Sequence, residues 1–80
     1  MLSGIIVVMA TTLNELDPVA LTVDVPTDGL LRGSVGTIVQ RYSPDDFEVE
    51  FVDNAGNTYA LATLRSDQLL RLHFDPAAAS

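Results

Sequence analysis

Nucleophilic catalysis needs a serine, threonine or cysteine with a base within reach. The sequence holds five serines, a single histidine (His73) and no cysteine. His73 alternates with Leu72 and Phe74, which directs its ring to water or to the rim of the domain. No spacing sets a serine beside it. The missing cysteine also removes a disulfide framework and a thiolate metal site. Carboxylates are the more abundant chemistry: Asp45, Asp46, Glu48, Glu50 and Asp53 crowd one short stretch. Glu48 and Glu50 are two residues apart, about 7 Å along a strand. Such a pair suits a loosely held divalent cation or the guanidinium of a partner. A dedicated calcium loop needs D-x-[DN]-x-[DN]-G ending in Glu, which Asp53-Asn54-Ala55-Gly56-Asn57 does not supply. Paired glycosidase carboxylates need a cleft that so small a chain rarely builds. The cluster therefore reads as a solvated strand face with turn formers, and its functional alternative is an acidic face for a basic partner.

The cations are four arginines, Arg32, Arg41, Arg65 and Arg71, set against 11 acidic residues for a net charge of −7. Arg32 and Arg41 lie about 30 Å apart if the segment between them is extended. Binding to a polyanion gains from each counterion that clustered cations release, and the overall negative charge opposes approach. Nucleic acid is therefore not an expected partner. Gly33-Ser34-Val35-Gly36 opens a strand with no helix behind it, so it cannot cradle a phosphate on helix amides. No catalytic, metal or cofactor-binding residue is expected, and the absence of cysteine with one lone histidine points away from an enzyme.

The elements that must carry these residues follow from the hydrophobic pattern. Thr12-Leu13-Asn14-Glu15 fits a capping box, which Pro18 limits to about one helical turn. Pro18 to Val25 alternates, with Val19, Leu21, Val23 and Val25 on one face, and reads as a strand. Pro26-Thr27-Asp28-Gly29 is turn chemistry. Ser34 to Tyr42 is the second strand, with Val35, Thr37 and Val39 opposite Gly36, Ile38 and Gln40. A glycine inside a strand, as at Gly36, marks a bend or close backbone approach. Ser43 to Asp46 turns into Phe47 to Val52, where Phe47, Val49 and Phe51 point inward and Glu48 and Glu50 face water. Asp53 to Asn57 is a hairpin loop, with Gly56 suited to a left-handed conformation. Thr58 to Leu64 is the return strand. Ser66 caps a single helical or 3-10 turn through Leu69, and Leu70 to Phe74 is the last strand.

Five short strands separated by turn signals mean an all-β barrel or sandwich. The expected fold is a small, SH3-like, strongly bent, partly open five-stranded barrel with one short helical or 3-10 turn before the last strand. Eighty residues allow one domain, which buries about 60% of its extended-chain surface. The expected organisation is an N-terminal extension over 1–12, the barrel over 13–74 and a tail over 75–80. The start carries neither the basic residues nor the apolar length of a secretory signal, and no window is long enough to span a bilayer. A cytoplasmic protein is expected. Met9 offers a second start, and Ile5 to Val8 has the β-branched composition of an extra strand that pairs along an open edge.

The run Leu30-Leu31-Arg32-Gly33-Ser34-Val35-Gly36-Thr37-Ile38-Val39, then Glu48-Val49-Glu50-Phe51-Val52-Asp53, Ala60-Leu61-Ala62-Thr63-Leu64 and Gln68-Leu69-Leu70, resembles a small bacterial family of unknown function, DUF number four-nine-two-six. Glu15-Leu16-Asp17 with Val19-Ala20-Leu21 fits the same pattern, so the resemblance covers Leu13 to Leu72. It implies an SH3-like barrel and no assigned activity. More loosely, Gly33 to Phe51 is similar to a KOW segment of ribosomal and transcription proteins. The same motif occurs in small subunits of photosynthetic complexes and in the β chain of nitrile hydratase. It records how a small barrel bends.

The function expected is a non-catalytic, acidic protein-binding module, such as an antitoxin-like or immunity-like partner of a neighbouring gene product. Alternatives are a KOW-like nucleic-acid or ribosome-associated module and a small structural subunit of an enzyme complex. The binding surface expected is Asp45, Asp46, Glu48 and Glu50, with Arg41 and Tyr42 at its margin, and the partner is a protein with a basic surface. No membrane partner is expected. A homodimer through edge strands or through residues 3–10 is a further expectation.

Overall fold

The structure, a computed structural model, describes residues 12–73. Five strands form one antiparallel sheet: β1 (Pro18–Leu21), β2 (Val35–Ser43), β3 (Asp46–Val52), β4 (Thr58–Arg65) and β5 (Leu69–Arg71). Their order in the sheet is β4-β3-β2-β1-β5. Two 3-10 turns, Pro26–Asp28 and Ser66–Gln68, are the helical elements among the described residues. The domain is all-β, and its sheet is open, because β4 and β5 are the two ends and do not pair with each other. No helix among the described residues is long and apolar enough to cross a membrane. The possible extra strand over Ile5 to Val8, Phe74 and the tail over 75–80 lie outside the described residues.

The core forms on one face of the sheet. Phe47, Val49 and Phe51 of β3 are fully buried, as their alternation requires, while Glu48 and Glu50 point the other way. Val19 and Leu21 of β1, Ile38 of β2, Ala62 and Leu64 of β4, and Leu69 of β5 complete that face. Leu13 and Leu30 cover it from the loops. Gly36 of β2 is buried against this cluster. A Cβ there would stand 2.7 Å from Val49 Cγ1, 2.8 Å from the Glu50 carbonyl oxygen and 2.9 Å from Phe51 Cδ2. The glycine is needed for close approach, one of the two roles its place in a strand allows.

Bending falls to other residues. Register shifts between Ile38 and Gln40, and between Arg41 and Ser43, leave Val39 and Tyr42 unmatched against β3. Each is a bulge that bends β2 and re-aims the side chains beyond it. A third shift, at Phe51 and Val52, leaves Tyr59 unmatched on β4.

Four local expectations are corrected. The first strand stops at Leu21, not Val25, and Val23 is exposed. Thr22 still donates its N–H to the Gln68 carbonyl, in step with the β1–β5 ladder; beyond it the chain leaves the sheet, and Val25 bridges Leu30, whose side chain is buried. Thr12 to Glu15 does not open a helix. The Asp17 carboxylate accepts the Asn14 N–H at 2.9 Å, Leu16 adopts φ +74°, and Glu15 reaches the Arg41 N–H at 3.4 Å. Ser66 is not the cap of the second 3-10 turn. The Arg65 N–H donates to Gln68 Oε1 at 2.8 Å, and the Ser66 hydroxyl instead donates to Asp45. The last strand begins at Leu69 and ends at Arg71, leaving His73 exposed beyond it.

Candidate functional site

β3 carries the acidic hairpin, and its pleat divides the carboxylates. Glu48 and Glu50 stand half-buried on the outer face of the sheet. Glu48 Oε1 accepts the Thr63 hydroxyl at 2.9 Å and the Tyr42 hydroxyl at 3.3 Å. Glu50 accepts the hydroxyl of Thr58. Both carboxylates are thus held by neutral hydroxyl donors. The Tyr42 phenol responds: desolvation, then the Glu48 charge and hydrogen bond, push its pKa above the ordinary tyrosine value.

Asp46 opens β3 and accepts the Ser43 hydroxyl at 2.7 Å. Asp45, in the turn, accepts the Ser66 hydroxyl at 3.1 Å. They sit near Arg65, whose guanidinium bonds Asp67 at 2.6 Å. That pairing raises the Arg65 pKa and lowers that of Asp67, the hydrogen bond being the largest cause for each. Asp53, by contrast, is a turn former. One of its carboxylate oxygens accepts the N–H groups of Ala55 and Asn57, both at 2.9 Å, and Gly56 takes φ +85°. Among the described residues no group of three or more histidine or acidic side chains is placed to hold a metal ion.

The six residues expected at the binding surface are therefore split. Tyr42, Glu48 and Glu50 come together on the outer face. Asp45 and Asp46 lie at the end of the hairpin. Arg41 pairs in register with inward-facing Phe47 and lines a shallow groove of about 320 Å³ with Leu13, Asp45, Phe47 and Leu69. Its Nε donates to the Ser43 carbonyl at 3.2 Å. The two bulges cause this separation, since each advances β2 by one residue without a partner on β3.

Apolar residues that sequence reasoning did not assign to a surface also belong to the outer face. Val35, Leu61 and Leu70 are 54%, 56% and 57% exposed there, and Val52 is also exposed. Leu70 pairs with Ala20, which pairs with Val35, and Leu61 pairs with Glu50, which pairs with Thr37. The register thus sets Leu70, Ala20 and Val35 in one apolar row across β5, β1 and β2, and Leu61 in the next row, where Glu50 stands between it and Thr37. Their signal in the sequence was the apolar content of both faces of β2 and β4, which period-two counting alone does not orient.

No curated protein and no solved structure matches the chain. Residues 15–71 match the family described as Domain of unknown function (DUF4926). The match begins at the Glu15 turn, runs through all five strands and ends with β5 at Arg71. Covering well over half of the 80 residues, it establishes that the chain belongs to the DUF4926 family.

Proposed function

We propose that the chain is a non-catalytic protein-binding module on an SH3-like scaffold, and that the outer face of its sheet receives a partner with a basic surface. An antitoxin-like or immunity-like partner of a neighbouring gene product fits this role. The observation that carries the reading is that Leu70, Val35 and Leu61, each about half exposed, lie on the same outer face as Glu48 and Glu50, with Glu50 paired directly to Leu61. Exposed apolar side chains grouped on one face and rimmed by polar groups are the usual composition of a docking surface. Carboxylates at Glu48 and Glu50 steer a cationic partner and set its orientation. The arginines support the same reading over a nucleic-acid ligand. Arg65 is paired with Asp67, and Arg71 with Asp17 at 3.3 Å, which leaves those two less charge for phosphates.

Charge reversal tests this. The product of the adjacent gene, co-expressed and purified, is titrated by calorimetry against the native chain and the Glu48→Lys/Glu50→Lys variant. The variant is expected to bind at least about tenfold more weakly, equal to about 1.4 kcal/mol. Native binding is expected to weaken as salt rises. Unchanged, salt-insensitive capture by the variant would refute the acidic face.

A further inference from the structure

We propose that β4 is a self-pairing edge, through which two copies of this chain join antiparallel to make one continuous sheet. The sheet has two ends, and they differ. β5 is three residues long and finishes at Arg71, which is tied to Asp17. A short, charged edge of this kind resists pairing. β4 runs for eight residues, and from Tyr59 to Leu64 it has neither a charge nor a proline.

The ladder shows which backbone groups that edge offers. The Ser66 N–H donates to the Asp45 carbonyl at 2.9 Å. Antiparallel pairs alternate between bonded and non-bonded, and Leu64, Ala62 and Ala60 follow Ser66 in step. Those three therefore turn their N–H and C=O groups to β3, and Leu61 and Thr63 turn theirs to the open side, while the Arg65 N–H is taken by Gln68 Oε1. Two donors and two acceptors on alternate residues match the same pair of residues in a second copy.

Charge and side-chain size select that second copy as the occupant. The chain carries −7, yet β4 holds no carboxylate and one cation, Arg65. Setting Ala62 against Ala62 of the second copy puts the smallest side chains at the two-fold axis. The same register pairs Leu61 with Thr63, Ala60 with Leu64 and Tyr59 with Arg65. No like charges meet. The Arg65 guanidinium, two-thirds exposed, comes beside an exposed tyrosine ring and gains a cation–π contact. The contact is isologous, so it closes as a dimer and does not propagate. It also leaves Glu48 and Glu50 open, so it stands independently of the basic-partner reading.

The full chain is run by size exclusion with light scattering at high micromolar concentration. Twice 8.6 kDa is expected, and a monomer overturns the proposal. Leu61→Lys, an edge lysine, and Leu61→Pro, which removes an outward N–H, are expected to give monomers whose far-ultraviolet spectra still report the sheet. A dimer that survives both substitutions overturns the proposal. Because the chain has no cysteine, register is read by oxidative cross-linking of Leu61→Cys mixed with Thr63→Cys. The mixed disulfide is expected to form about tenfold faster than either homodimer disulfide. Equal rates overturn the register, whether or not the lysine and proline variants fold. A dimer that is lost on deleting residues 3–10 instead assigns the contact to that segment and overturns pairing through β4.

Discussion

Glu48 shows how a single residue on this sheet is committed. Its alternation with Phe47 and Val49 sends it outward, and the Tyr42 and Thr63 hydroxyls then hold its carboxylate. Tyr42 reaches Glu48 because a bulge frees it from the β2–β3 register, a position no pairing rule reads from sequence. A titration follows. The raised Tyr42 pKa means that the folded state holds the phenolic proton more tightly than the unfolded chain does. Its contribution to stability is complete below the ordinary tyrosine value of about 10 and is lost as pH rises through the higher folded value. In a Tyr59→Phe background Tyr42 is the remaining tyrosine, so phenolate absorbance follows it alone. The midpoint is expected above the ordinary value, and adding Glu48→Gln is expected to lower it. An identical midpoint with and without Glu48 would show that its carboxylate does not act on the phenol.

At the scale of the element, strand identity was legible wherever one face alone was apolar. β3 is the clearest case: Phe47, Val49 and Phe51 could face only the core. β2 was legible as a strand but not in shape, because bulges at Val39 and Tyr42 depend on how β3 packs and leave no residue signature. β1 was read four residues too long. Val23 and Val25 continue the alternation, but the ladder with β5 runs out at Thr22 and Gln68, where the 3-10 turn takes over, and the chain turns away so that Val25 bridges Leu30. Gly36 is where β2 and β3 are most tightly coupled. A Gly36→Ala substitution puts a methyl group against the Glu50 carbonyl and two core side chains. The backbone oxygen cannot swing aside. Overpacking of this kind costs about 1–3 kcal/mol, read as a lower urea midpoint at unchanged slope. An equal or higher midpoint would mean that β3 shifts freely.

For the whole molecule, the net charge of −7 acts on two contacts with opposite sign. Two identical anions repel, so self-association through β4 is expected to tighten with salt. Binding of a basic partner to the outer face is expected to loosen over the same range. Going from 0.01 M to 0.15 M ionic strength shortens the Debye length from about 30 Å to about 8 Å. Sedimentation of the chain alone and calorimetry with its partner check the two signs separately. Salt effects of the same sign would show that at least one contact is not governed by the net charge. The sequence by itself determined the all-β class, the inward run of β3, the Asp53 to Asn57 turn and the family pattern. Those features rest on local propensity and period-two alternation, which each segment carries within itself. Only the tertiary structure decided that Arg41 parts from Glu48 and Glu50, that Val35, Leu61 and Leu70 are exposed on one face, and that β4 is, among the described residues, a long edge of the sheet. Each of these depends on the register between strands distant in sequence and on the bulges that shift it, which no single segment encodes.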